Sequence, residues 1–169
     1  MLGGEGDDSV STGTRTPISI PDMYQILKEA WPGAIPETPV DDTSIVSLMA
    51  LWCLETANGT AMWNNNIGNF VHTAGNGSPP GSSFQLKTSA GMMTFASWDS
   101  IQQGAHDFLY AFYHRWQSAW TAIQEGDMQG MAEALYEQGY YGKGEGLEAS
   151  YAAGLANRQT LVQNTLGIS

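Results

Sequence analysis

The chain contains a single cysteine, Cys53, so no internal disulfide framework can brace it. Basic residues are nearly as scarce: six Lys and Arg stand against 17 Asp and Glu, for a net charge of −11. A balance this acidic, with its few cations scattered, argues against nucleic acid and anionic membrane as partners. No run approaches the roughly 20 consecutive apolar residues of a membrane span, so membrane insertion is not expected. The stretch Met1 to Asp8 is acidic and glycine-rich, without the basic start and apolar run of a secretory leader. The expectation is a virus-borne protein freed by lysis or carried in the particle, export by another route, or a leader already removed. Charged residues make up only 14% of the chain, so its surface must lean on Ser, Thr, Asn, Gln and Gly.

The acids are also unevenly placed. Residues 1–42 hold eight and residues 125–169 hold six, whereas 43–124 hold only Glu55, Asp99 and Asp107. Carboxylate chemistry in the long middle of the chain is confined to those three.

What is present is a core. A chain of 169 residues, 42% hydrophobic and with six Trp, suits one domain that buries roughly two-thirds of its unfolded surface. Residues 1–20 read as a flexible or partner-bound tail, and 21–169 as the domain. Pro21 suits the first turn of a helix reaching about Trp31, after which Pro32, Gly33, Pro36 and Pro39 break the chain. Asp42 or Thr43 can cap a second helix over about 43–56. Its residues Ile45, Val46, Leu48, Met49, Leu51, Trp52 and Leu54 leave almost no polar face, which is the mark of a buried helix. Residues 75–83 read as loop, and Phe84 to Phe95 as one β-hairpin. Asp99 with Gln102 forms a capping box for a helix running to about Ile123. Shorter and longer helices follow over about 128–138 and 147–165. The fold class is mainly α, a helical domain with a small β-hairpin lobe.

The second helix ends on Glu55, and a turn rich in Asn and Gly follows at once. An acid where an apolar helix meets a polar cleft is desolvated, which raises its pKa and keeps it protonated near neutral pH, ready to donate. The bland alternative is a helix-end carboxylate tipped into solvent.

Leu54-Glu55-Thr56-Ala57-Asn58-Gly59-Thr60 resembles the Leu-Glu-Thr-Gly-Asn-Gly-Thr signature of bacterial cell-wall endo-β-N-acetylglucosaminidases, glycoside hydrolase family 73 and its relatives. Asn65-Asn66-Ile67-Gly68 is similar to the Asn-Leu-Phe-Gly element that follows there, and Phe95 to Ser100 to its Phe-x-x-Tyr-x-Ser entry into the next helix. Ala134-Leu135, Gly139-Tyr140 and Ser150-Tyr151-Ala152 resemble its C-terminal pattern, so the likeness runs in order from about residue 43 to 165. The resemblance implies a lysozyme-like fold and a peptidoglycan hydrolase that acts at the bacterial cell wall on glycan strands, without metal or cofactor. It implies Glu55 as the general acid on the leaving glycosidic oxygen, and a Tyr near the cleaved bond at Tyr140 or its neighbour Tyr141. Family members often carry a second acid in the lobe, yet residues 71–98 contain none. Asp99 is the nearest candidate for a second acid, alongside its role as a helix cap. The routes left open are attack by the substrate's own acetamido group, an anhydro-sugar product as in a lytic transglycosylase, or loss of activity.

Asn65 and Asn66 read equally as cleft-lining or turn-making residues, and Trp98 as a sugar-stacking ring or as core. Cys53 inside an apolar helix is the setting of an inert thiol, which disfavours Cys/His chemistry. The primary reading is an N-acetylglucosaminidase-type hydrolase of the phage-lysin kind, with a muramidase or lytic transglycosylase as runner-up. The rival from another class is a catalytically inactive glycan-binding module, or a structural piece of a virion or secretion machine.

Overall fold

A computed structural model describes residues 10–72 and 83–169. Of the loop expected over 75–83, residues 75–82 lie outside those described and Ser83 opens a strand, and the first nine residues of the expected tail also lie outside. The element order is β1 (Val10–Thr12), α1 (Ile20–Ala34), α2 (Asp42–Glu55), β2 (Ser83–Thr88), β3 (Gly91–Ala96), α3 (Ile101–His114), a 3₁₀ turn (Gln117–Ala119), α4 (Trp120–Glu125), α5 (Met128–Gln138) and α6 (Leu147–Leu166). The helices make the body and the strands a small lobe. This is the mainly α architecture that the hydrophobic periodicities imply.

Helix α2 is the axis of the body, with ten consecutive residues buried from Ser44 to Cys53. Helices α1, α4 and α6 pack around it. Its cap is Asp41, one residue before the expected position. The Asp41 carboxylate accepts both the Ser44 N–H and the Ser44 hydroxyl, each at 2.7 Å, and this double contact favours it over Asp42. The buried Ser47 hydroxyl lies 2.9 Å from the carbonyls of Thr43 and Ile123, so its polarity is satisfied while it ties α2 to α4.

Helix α1 is capped by Ser19 and faces inward through Met23, Leu27, Trp31 and Ala34. It runs on past the expected stop at Trp31, with Pro32 inside its last turn. Burial of Ala34 and the Trp31 indole, whose Nε1 donates to Thr38 O at 2.8 Å, outweighs the one backbone bond that Pro32 forfeits. Helix α3 packs on α1 and is capped by Ser100, whose hydroxyl accepts the Gln103 N–H. The expected Asp99–Gln102 box is therefore displaced by one residue. The expected continuous helix to Ile123 is also interrupted. The Arg115 and Trp116 N–H groups both point to Ala111 O, the chain swings through the 3₁₀ turn, and α4 restarts at Trp120. Phe108, Phe112 and Trp120 stay buried across the break.

In the lobe, β2 and β3 pair antiparallel with Phe84 opposite Phe95 and Thr88 opposite Gly91. The two phenyl rings stack at 5.7 Å and close the lobe's own small core. Strand β1 lies parallel to β2, Val10 opposite Ser83, so the N-terminal stretch is part of the folded domain from residue 10 onward.

Candidate active site

Because α2 is buried along its length, the side chain at its last residue is held at the edge of the core. Glu55 is half-buried there. Burial pushes its carboxyl pKa up, and hydrogen bonds from Tyr151 and Asn69 pull it partway back. The Tyr151 hydroxyl donates to Glu55 Oε1 at 2.7 Å. Neither Lys nor Arg pairs with Glu55 among the described residues. The environment is that of a carboxylic acid kept neutral at a pH where an exposed one would ionise.

Three tyrosines back this carboxyl. Tyr151 reaches it from α6, which packs against both α2 and α5. Gly154, one turn further along α6, allows that approach, since a β-carbon there would stand 2.9 Å from Leu54 Cδ1. Tyr141 stacks face to face on Tyr151, centroids 3.9 Å apart and planes 9° apart. Its hydroxyl donates to Ala132 O at 2.8 Å, and burial lifts its pKa to about 12. Tyr140 is turned inward as well. Its hydroxyl donates to Gly68 O at 2.7 Å, and its ring meets Phe70 and Trp116 edge-on. Burial, and then the nearby Glu55, hold the Tyr140 phenol well above its ordinary pKa. It is therefore a neutral phenol beside the acid, its one proton engaged by the Gly68 carbonyl.

The turn after Glu55 is built on left-handed backbone, with φ of 50° at Ala57, 59° at Asn58 and 84° at Gly59, then 47° at Asn64, 57° at Asn65 and 52° at Asn69. Asn and Gly tolerate this region, which explains the composition of the stretch. Thr56 is buried and closes the helix: its hydroxyl donates to Trp52 O and accepts the Gly59 N–H at 3.0 Å.

The asparagines divide by role. Asn66 is 2% exposed. Its amide donates to Phe70 O at 3.0 Å and Ala96 O at 2.9 Å, while its carbonyl accepts the Phe70 N–H at 2.8 Å. All of that capacity is taken up in joining the loop to β3. The Asn65 amide donates to Trp98 O at 2.9 Å and likewise ties loop to lobe. Of the group it is Asn69, exposed at the loop's end, whose side chain meets Glu55. Trp98 is 6% exposed, with Nε1 donating to Asp107 Oδ2 at 2.8 Å, and so packs as core. Asp99 is exposed. Glu55, Asn69, Tyr140 and Tyr151 are thus brought together, and Tyr141 stands behind them.

The sequence offers Asn69 as one of several asparagines able to bond a sugar and Tyr151 as part of the C-terminal pattern, but neither as a partner of Glu55. Tyr151 sits at helical spacing from Leu147 and Leu155 and reads as one more apolar contact. Its partner lies 96 residues away, beyond any local signal. The other sequence candidates stay apart from this cluster. Cys53 is fully buried and its thiol is pushed up to about 12 by burial, the state of an inert thiol. Among the described residues no group of His, Cys, Asp and Glu could hold a metal ion, and no helix is long and apolar enough to cross a membrane.

No family model matches the chain, and no curated protein matches it. Solved structures do. The peptidoglycan hydrolase from Sphingomonas sp. A1 is similar in a point-mutant form, at TM-score 0.61 and 19% identity over 85% of this chain and 91% of that one. Its unmutated form gives TM-score 0.57 and 18% identity, over 83% and 90% of the two chains. The glycoside hydrolase domain of Salmonella typhimurium FlgJ gives TM-score 0.56 and 17% identity, over 89% and 92%. The chain has the fold of these hydrolases across nearly their whole length.

Proposed function

We propose that the protein is a peptidoglycan hydrolase that cuts the glycan backbone at a bond of the N-acetylglucosaminidase type, with Glu55 as general acid. The observation that carries this reading is the half-buried Glu55 at the end of α2, without an ion pair among the described residues, its pKa raised and its Oε1 held by Tyr151. The shared fold with enzymes that bear the name peptidoglycan hydrolase supports it.

In this mechanism the protonated Glu55 gives its proton to the glycosidic oxygen as the bond to the anomeric carbon breaks. Tyr151 fixes the carboxyl's orientation, so that proton transfer does not wait on a rotamer search. Residues 71–98 carry no acid, and the nucleophile fits best as the substrate's acetamido oxygen. It attacks the anomeric carbon as the leaving oxygen takes the proton, forming an oxazolinium ring that keeps the acetamido N–H. Water, deprotonated by the now ionised Glu55, then opens that ring. Asn69 and Tyr140 stand beside the reacting carboxyl, and the site of action is the bacterial cell wall.

Turbidity clearing of purified murein by wild type and Glu55→Gln tests this directly. Clearing that disappears in the variant, with new reducing ends on N-acetylglucosamine, supports the reading. Free muramic ends would assign a muramidase, and anhydro-muramic ends a lytic transglycosylase. The missing lobe acid favours one rival, a glycan-binding module. Murein pull-down without clearing by wild type would establish it.

A further inference from the structure

The N-terminal segment crosses the domain along the loop that joins Glu55 to Asn69. Residues 14–18 run antiparallel to 59–65, with Arg15 opposite Trp63. The Asn64 N–H donates to Thr14 O at 2.8 Å, and the Thr14 N–H returns to Asn64 Oδ1 at 2.5 Å. The Thr16 N–H donates to Met62 O at 2.9 Å, and the Thr16 hydroxyl oxygen accepts the Asn65 N–H at 2.9 Å. The Ile18 N–H reaches Gly59 O at 3.3 Å, and the Arg15 guanidinium lies over the Trp63 ring at 5.2 Å. Gly59 has no room for a side chain, because a β-carbon would stand 2.3 Å from Ile18 O.

This contact falls on the strained part of the loop. Left-handed non-glycine residues persist only where their surroundings over-determine them, and here the clamped residues include Asn64 and Asn65, with Ala57 and Asn58 just before Gly59. The same two asparagines carry the strap's hold into the lobe. The Asn64 amide donates to Ser97 Oγ at 3.1 Å, the Trp98 N–H to Asn64 O at 3.0 Å, and the Asn65 amide to Trp98 O. One end of the clamped loop is Glu55, and the other leads to Asn69, which touches the Glu55 carboxyl. We infer that residues 14–18 are a positioning strap for the proton donor: by holding Gly59, Asn64 and Asn65 in their left-handed conformation they set the Glu55 carboxyl against Asn69 and fix the helical body to the lobe. The inference rests on Glu55 being the general acid.

Two changes in the full chain test it. Thr16→Val keeps the side-chain volume and removes the acceptor for the Asn65 N–H. In a Cys53→Ala background, Arg15→Cys with Trp63→Cys provides a reversible lock. These two are directly opposed and flanked by the 14–64 and 16–62 bonds, a non-hydrogen-bonded pair whose α-carbons stand about 4.5 Å apart, within disulfide range. At a temperature where circular dichroism shows both proteins folded, Thr16→Val should lower kcat for murein clearing about tenfold with KM within twofold. Oxidising the lock in the Thr16→Val chain should restore kcat to within threefold of wild type. An independent readout is the titration of the Glu55 carboxyl followed by carbon NMR, whose midpoint should shift in Thr16→Val and return on oxidation. An unchanged kcat in Thr16→Val, no recovery on locking, or a locked wild type slower than its reduced form would overturn the strap. If wild type clears no murein, the proposed reaction fails while the NMR titration still decides the strap.

Discussion

Removing the Tyr151 hydroxyl isolates the balance that tunes Glu55. In Tyr151→Phe the ring and its stack on Tyr141 remain, and only the 2.7 Å bond to Oε1 is lost. A hydrogen bond to a charged carboxylate contributes about 1.5–3 kcal/mol, and one to its neutral form about 0.5–1.5 kcal/mol. The difference, about 1–1.5 kcal/mol, is close to one pH unit at 1.36 kcal/mol per unit. This bond lowers the Glu55 pKa against the effect of burial, so its loss must move that pKa up. The alkaline limb of kcat/KM against pH reports deprotonation of the acid in the free enzyme, and it should move up by about one unit. The plateau should fall, because the carboxyl loses its orientation. A limb that stays in place or moves down, in a variant that is folded, would refute the assignment of Glu55 as the titrating acid.

Glu55→Gln should be inactive yet more stable than wild type, and the gap should widen with pH. The folded pKa of Glu55 is raised, so wild type gains stability from its protonated form at low pH and loses it as pH rises through that pKa, whereas Gln does not titrate. Thermal melts at acidic and alkaline pH check both the sign and the trend. Ala57→Gly should stabilise by about 0.5–1 kcal/mol in urea titration, since Ala57 is exposed with φ 50° and the gain exceeds the entropy that glycine loses. Gly104→Ala should destabilise by about 2–3 kcal/mol in the same assay, because its β-carbon would stand 2.3 Å from the Asn65 carbonyl oxygen. Asn66→Ala should cost about 3 kcal/mol, as it removes the amide's bonds to the Phe70 N–H and the Ala96 carbonyl and leaves the Phe70 carbonyl only the Ala96 N–H.

Helix α2 was legible in the sequence because a stretch with no polar face can only be central, and the turn after it because Asn and Gly serve left-handed backbone. The hairpin was legible from the alternation around Phe84 and Leu86, though its register was not. The break at Arg115 was not legible: no Gly or Pro marks it, and the aromatic spacing runs through it unchanged. The segment 10–18 read as a tail because its polar side chains give no periodicity, while its role is carried by backbone hydrogen bonds to residues some fifty positions on. Asn66 shows the same limit. A buried amide that joins three backbone groups and an exposed one that meets a sugar have the same letter, and only tertiary placement separates them.

The bond between Glu55 and Tyr151 joins the second helix to the last one. During synthesis the acid therefore emerges long before the hydroxyl that steadies it, and α2 has no cover on its α6 side until that final helix is released. Only a chain translated through α6 has the Glu55 carboxyl held by the Tyr151 hydroxyl, and fragments that stop short of it carry the glutamate without that partner.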